Sequence, residues 1–150
     1  MQVVVSFLGL LAMTLSVVAE DAHTPKPGSA ERQAVCDAMR DLMKKKYAQA
    51  PLPKPIVFKI DTIRIQGTYC HFKAVPIFSD GSDAIPRYLP DISYSHCLKL
   101  EKNGWKVIVD LSRTDVPGDA EVREIKRRFP ADFPVSLLPE FWRDLFKTVK

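Results

Sequence analysis

The chain has 150 residues, with 22 Lys and Arg against 18 Asp and Glu, for a formal net charge of +4. The charges are mixed along the chain, with no basic stripe interleaved with aromatics, so nucleic acid is a poor partner. Six scattered glycines form no phosphate-cradling loop and no GxSxG turn is present, which removes two common routes to catalysis.

Residues 1–19 carry no charged side chain and end in Val17-Val18-Ala19. Their apolar run is shorter than the ~20 residues a bilayer span requires. The pattern predicts a secretory signal peptide cleaved after Ala19, with the amino terminus as its only positive charge. That places the mature chain in the periplasm or outside the cell, with no membrane span after cleavage. Residues 20–28 read as a flexible leader, and 29–150 as a single α+β domain.

The first element is SAERQAVCDAMRDLMKKKY. Ser29 is a good N-cap. Val35, Met39, Leu42 and Lys46 follow one helical stripe, with Ala38 and Met43 beside it and Arg40, Asp41 and Lys44 opposite. The prolines of APLPKP end the helix.

Strands come next. Residues 56–78 divide at Gln66-Gly67, which sets Ile65 against Thr68 and Ile63 against Cys70. One face then holds Ile63, Ile65, Cys70, Phe72 and Ala74; the other holds Thr62, Arg64, Tyr69, His71 and Lys73. Phe58 and Ile60 also look inward, so a bulge near Asp61-Thr62 is expected. After a turn-rich loop at 79–92, Asn103-Gly104 predicts a type I′ hairpin pairing Leu100 with Val107, Leu98 with Val109 and His96 with Leu111. Its apolar face is Leu98, Leu100, Trp105, Val107, Val109 and Leu111. In the tail, Asp119 is placed to cap a short helix over 120–129. Beyond Pro130 and Pro134, Leu138, Phe141, Trp142 and Leu145 mark a second short helix packing onto its own sheet.

Cys70-His71 and His96-Cys97 invite a metal or Cys/His reading. Neighbours on a strand point to opposite faces, so neither pair is a dyad and the four residues cannot converge on one zinc ion. Cys70 and His96 share the core face; His71 and Cys97 share the other. No metal and no cofactor is expected. For disulfides, Cys36–Cys70 is consistent with parity, Cys70–Cys97 needs a bulge, and three free thiols remain open. Asp110 or Asp115 with His71 or His96 could form an acid/base site, His96 with Asp115 being the leading pair, if a pocket opens beside it. Arg40 and Arg64 fit ion pairs with Asp61, Asp110 or Asp115; if they converge in a pocket, they predict an anionic ligand.

A helix, a run of antiparallel strands and short C-terminal helices describe an α+β fold. The N-terminal helix packs on a curved antiparallel sheet of about four strands, as in cystatin-like and nuclear-transport-factor-like folds. At particular residues the chain resembles a group of small secreted bacterial proteins of uncharacterised function. They share a helix with ER-x-x-(apolar)-D-A-x-R, a D-T-(apolar)-R-(apolar)-x-G hairpin, and a G-x-W hairpin leading to T-D. The likeness covers 29–116 and rests on Arg32, Asp37, Arg40, Asp61, Arg64, Gly67, Trp105, Thr114 and Asp115. Cys70, Cys97 and the longer loop at 79–92 depart from it. The resemblance implies a fold and an exported location but no activity, and no Q-x-V-x-G wedge of a cystatin inhibitor is present. The expected role is a secreted or periplasmic non-catalytic binding domain for a protein or a small anionic ligand; the alternative is an enzyme using His96 and Asp115 in a helix–sheet pocket.

Overall fold

The computed structural model describes residues 21–84, 94–113 and 115–149, so the expected signal peptide and most of the 79–92 loop lie outside the described residues. In order, the elements are α1 (Ala30–Lys46), β1 (Ile56–Gln66), β2 (Tyr69–Phe78), β3 (Tyr94–Glu101), β4 (Gly104–Asp110), α2 (Asp119–Arg128), a short 3-10 turn at Val135–Leu137, and α3 (Glu140–Thr148). The strands form one antiparallel sheet in the order β1-β2-β3-β4. The fold is α+β, with the helix ahead of the sheet and the short helices after it.

Helix α1 starts where Ser29 Oγ accepts from the Arg32 N–H (3.3 Å), meeting one of the donors that a helix start leaves unpaired. Val35, Cys36, Met39 and Met43 are its buried side chains. Its upper half packs on Ile63, Ile65, Cys70, Phe72, Ala74 and Leu98, the β1–β3 face expected from parity. The bulge in β1 is where the alternation slipped: Ile60 pairs with Ala74 and Thr62 with Lys73, leaving Asp61 extra. The inserted residue keeps Phe58 and Ile60 on the same side as Ile63 and Ile65.

Both hairpins turn one position away from the expected place. Gln66 pairs with Tyr69 and Ile65 with Cys70, so Gly67-Thr68 forms the first turn, with Gly67 at φ 57. In the second, Glu101 pairs with Gly104 and Leu100 with Trp105, so Lys102-Asn103 turn. The positive φ falls on Gly104, at 108, and Asn103 stays at negative φ, so the type I′ turn is not used. That register, 98 with 107, is followed by a second bulge: Cys97 pairs with Val109, leaving Ile108 extra. Leu98, Trp105 and Val107 therefore face α1, while Val109 and Leu111 join the opposite layer.

The opposite face of the sheet is covered over much of its area. Tyr69, Cys97, Val109 and Leu111 pack against Val122 and Ile125 of α2 and Trp142 and Phe146 of α3. Helix α2 starts after Gly118, so Asp119 is its first residue rather than its cap. Lys126 Nζ donates to the carbonyls of Phe146 (2.8 Å) and Val149 (3.2 Å), fixing α2 to the C-terminal end of α3, where a cation is favoured. Tyr69 Oη donates to Asp132 (2.7 Å), tying the sheet to the segment between the helices. In α3 the buried side chains are Trp142 and Phe146, whereas Phe141 is 47% exposed; the stripe is rotated from the one expected.

The leader is held against the sheet. His23 and Ile65 exchange both backbone hydrogen bonds at 2.8 Å, extending the β1 edge, and Arg32 Nη1 donates to the Pro25 carbonyl. No helix among the described residues is long and apolar enough to cross a membrane.

Trp142→Ala is expected to cost about 3–5 kcal/mol of folding stability, as for a buried aromatic. Phe141→Ala should cost no more than about 1 kcal/mol. Urea unfolding of the two variants checks this, and equal losses would refute the assignment of faces.

Candidate functional site

Strand geometry places the two core histidines on opposite sides of the sheet. His71 pairs with Cys97 and Phe72 with His96, as parity required. His71 is 2% exposed, and its Nε2 lies 3.1 Å from Ser95 Oγ beneath the C-terminal helices. Burial holds its pKa down to about 4, helped by the charges of Lys73, Arg64 and His96 and opposed by Asp61. At neutral pH it is a neutral, hydrogen-bonded core side chain.

His96, also 2% exposed, lies on the α1 face with its ring stacked on Tyr94 at 5.8 Å. Its partner is Asp110, directly across the β3–β4 ladder, with Nε2 3.4 Å from Oδ1. Asp115 is exposed and, among the described residues, makes no bond or ion pair with His96; the expected His96–Asp115 pair is replaced by His96–Asp110. Burial pushes the Asp110 carboxyl up. The His96 hydrogen bond and charge, with the Ser112 N–H at 2.8 Å, outweigh this and hold it below the usual carboxylate range. The other ring nitrogen, Nδ1, is buried and has no hydrogen-bond partner among the described residues. A histidine beside a carboxylate is a frequent acid/base pair, but here Nδ1 is closed in: Phe72 stands opposite on β2 and Tyr94 covers the ring. A base must reach the proton it abstracts, so the arrangement as it stands is structural.

The cysteines are all buried and all free, so none of the candidate disulfides among Cys36, Cys70 and Cys97 is present. Cys70 and Cys97 sit on adjacent strands but on opposite faces, Cys70 beneath α1 and Cys97 beneath α2 and α3. Burial raises the pKa of each thiol, strongly for Cys70 and Cys97, and for Cys36 it outweighs the lowering by Arg40 and Arg32. Reactivity resides in the thiolate, so none is a poised nucleophile. Among the described residues no group of His, Cys, Asp or Glu could hold a metal ion.

Arg40 and Arg64 do not converge. Arg64 is exposed and lies across from His71, on the face that α2 and α3 partly cover. Arg40 is on α1, where Nε donates to the Ile56 carbonyl (3.1 Å), Nη1 to Asp37 (2.6 Å), and the guanidinium lies 5.9 Å over the Phe58 ring. These contacts fix it at the edge of an open groove of about 840 Å³ between α1 and the 47–57 segment. The groove has Met43, Tyr47, Leu52 and Ile56 as apolar lining and Arg40, Lys44 and Lys54 as cations; no carboxylate lines it. Each cation has an acidic neighbour outside the groove: Asp37 for Arg40, Asp41 for Lys44 (3.4 Å) and Asp80 for Lys54 (2.5 Å). The last two pairs are exposed and weakly held.

Sequence reasoning reached Arg40 but not the groove. The signal available was APLPKP: a segment that can continue neither helix nor sheet must stand off from both. No family model matches the chain, and neither does any curated protein or solved structure.

The state of His71 sets a pH dependence. Unfolded, it binds a proton below pH ~6.5; folded, only near 4. Below ~6.5 the unfolded chain therefore holds more protons, and stability falls as pH drops from 6.5 to 4, by about 2–3 kcal/mol at pH 4.5. His71→Gln should lose that part of the dependence. Urea stabilities of both proteins at pH 7 and 4.5 test it; parallel losses would rule it out.

Proposed function

We propose that the chain is an exported, non-catalytic binding domain that takes a small anionic ligand, or an anionic group of a partner, in the groove beside Arg40. The observation that carries this reading is the groove itself: an apolar lining with Arg40, Lys44 and Lys54 and no carboxylate. An open concavity with a few convergent polar groups is the usual form of a small-ligand site. Arg40 is the ligand-facing residue, because two of its nitrogens are already spent on Ile56 and Asp37 and orient the rest. Arg64 takes no part.

The binding reading is favoured over the acid/base enzyme because the groove and His96 are separate. His96 does not line the groove, and its bare nitrogen is buried. Export rests on the composition of residues 1–19, and the likeness of 29–116 to small secreted bacterial proteins points the same way. Three thiols that are buried and raised in pKa are suited to an oxidising compartment, since each is shielded from solvent oxidant.

Amide chemical-shift mapping with a panel of aliphatic carboxylates, aromatic carboxylates and phosphate monoesters tests the site. Perturbations should gather at Arg40, Met43, Tyr47, Leu52 and Lys54, and Arg40→Gln should remove them. Shifts scattered over the surface, or absent up to about 10 mM, a level below any useful affinity, would end the proposal. Export is tested by the intact mass of protein recovered from the native host. The expected mass begins at Glu20 and, after unfolding and alkylation without reductant, carries three alkyl groups; a chain retaining residues 1–19 would refute the cleavage.

A further inference from the structure

The groove constrains what can fill it more narrowly than its charge does. Its helical wall runs along one face of α1, from Gln33 through Arg40 to Lys44. At ~1.5 Å per residue those positions span about 17 Å, so the concavity is long rather than round. The facing wall carries Pro51, Pro53 and Pro55, none of which has an N–H. An extended peptide is normally bound by main-chain pairing along such a wall, and here every second donor is missing. The Pro55 and Ile56 carbonyls are already taken, by the Ser79 N–H and by Arg40 Nε. The Tyr47 Oη is bonded to Tyr94 Oη (2.9 Å), which takes up part of its hydrogen-bonding capacity.

A long apolar track with few hydrogen-bonding groups suits an aliphatic chain. The polar requirement is concentrated at one place. Arg40 Nη2 has no hydrogen bond among the described residues, while Nε and Nη1 are anchored. Lys44 is one turn further along α1, and Lys54 lies on the opposite wall. The free edge of one guanidinium matches a single compact anion, and a planar carboxylate is the group that a guanidinium binds well. A polyanion would leave the apolar lining uncovered; a neutral amphiphile would leave Arg40 Nη2 without a partner.

We propose that the groove binds a free single-chain aliphatic carboxylate, its head group on Arg40 with Lys44 and Lys54, and its chain along Met43, Tyr47 and Leu52. This rests on the reading of the groove as an anion-binding site and adds the class of ligand.

The test is an amide chemical-shift titration of the protein with decanoate, with decanol, and with an acetylated, amidated peptide of alternating Glu and Leu. Decanoate should saturate, with shifts at Lys44, Met43, Tyr47 and Leu52, and bind at least about tenfold tighter than decanol. Arg40→Gln should abolish that difference while leaving weak, equal binding of both. If that variant loses its dispersed spectrum, the double variant Lys44→Gln/Lys54→Gln, at two exposed positions, should reduce the preference for decanoate several-fold. Equal affinity of decanoate and decanol in the native protein would overturn the head-group assignment. Peptide binding in the groove without decanoate binding would overturn the ligand class and leave the groove an anion site. No binding by any of the three would overturn both readings.

Discussion

Ile108 is the residue on which the architecture turns. It stands opposite no partner in β3, so the alternation of β4 reverses there, and the last apolar side chains of the second hairpin leave the α1 side for the other. A sheet with Val107 on one face and Val109 and Leu111 on the other cannot leave either face in water. At roughly 25 cal/mol per Å², each of these aliphatic side chains is worth about 1.5–3 kcal/mol when buried. The C-terminal segment follows from that demand. Its helices are short, and neither would hold on its own; they form because Val109, Leu111, Tyr69 and Cys97 offer a surface to Ile125, Trp142 and Phe146.

The same reversal decides the fate of the polar residues. His71 and Ser95 lie where a single-layered sheet would have had a wet surface, and the second layer closes over them. They are tolerated because they bond each other. On the other side, His96 satisfies one nitrogen with Asp110 and leaves the other bare. A strand pairing, rather than a cleft, brings these two groups together. The histidine with a nearby acid and the cysteines with adjacent histidines that stand out in the sequence lie buried in the two layers of the core.

Much of the α1 half was legible. The helix cap at Ser29, the inward set Ile63, Ile65, Cys70, Phe72 and Ala74, and the slip at Asp61 all follow from periodicity, because a charged residue at a bulge interrupts an otherwise clean alternation. The bulge at Ile108 left no such mark. Val107-Ile108-Val109 is apolar throughout, so the pattern reads equally well in either register. The turns were misplaced by one residue for a related reason: glycine fixes where positive φ occurs, but Gly67 opens its turn while Gly104 closes its own. Asp115 was named ahead of Asp110, whereas the second bulge sets Asp110 directly across from His96. Arg40 and Arg64 looked alike in sequence; only the sheet between them separates a groove-lining cation from a solvent-facing one.

The groove itself is a consequence of two mismatches. Helix α1 runs to Lys46, beyond the point where the chain must turn back to start β1 at Ile56. The connecting residues include Pro51, Pro53 and Pro55, which cannot extend the helix and cannot add a strand to the β1 edge. They stand away from α1, and what fills the angle beneath them is a third, smaller cluster of Met43, Ile56, Phe78 and Tyr94, with Tyr47 and Leu52 only partly covered. The Tyr47–Tyr94 hydroxyl bond and the Arg40 hold on the Ile56 carbonyl pin the two walls at a fixed separation. A concavity whose walls are fixed by its own fold does not need to be ordered by whatever enters it, and that lowers the entropy cost of binding. The residue that pins the wall also presents the cation, so the contacts that hold Arg40 on β1 are the same ones that set its guanidinium at the groove's edge.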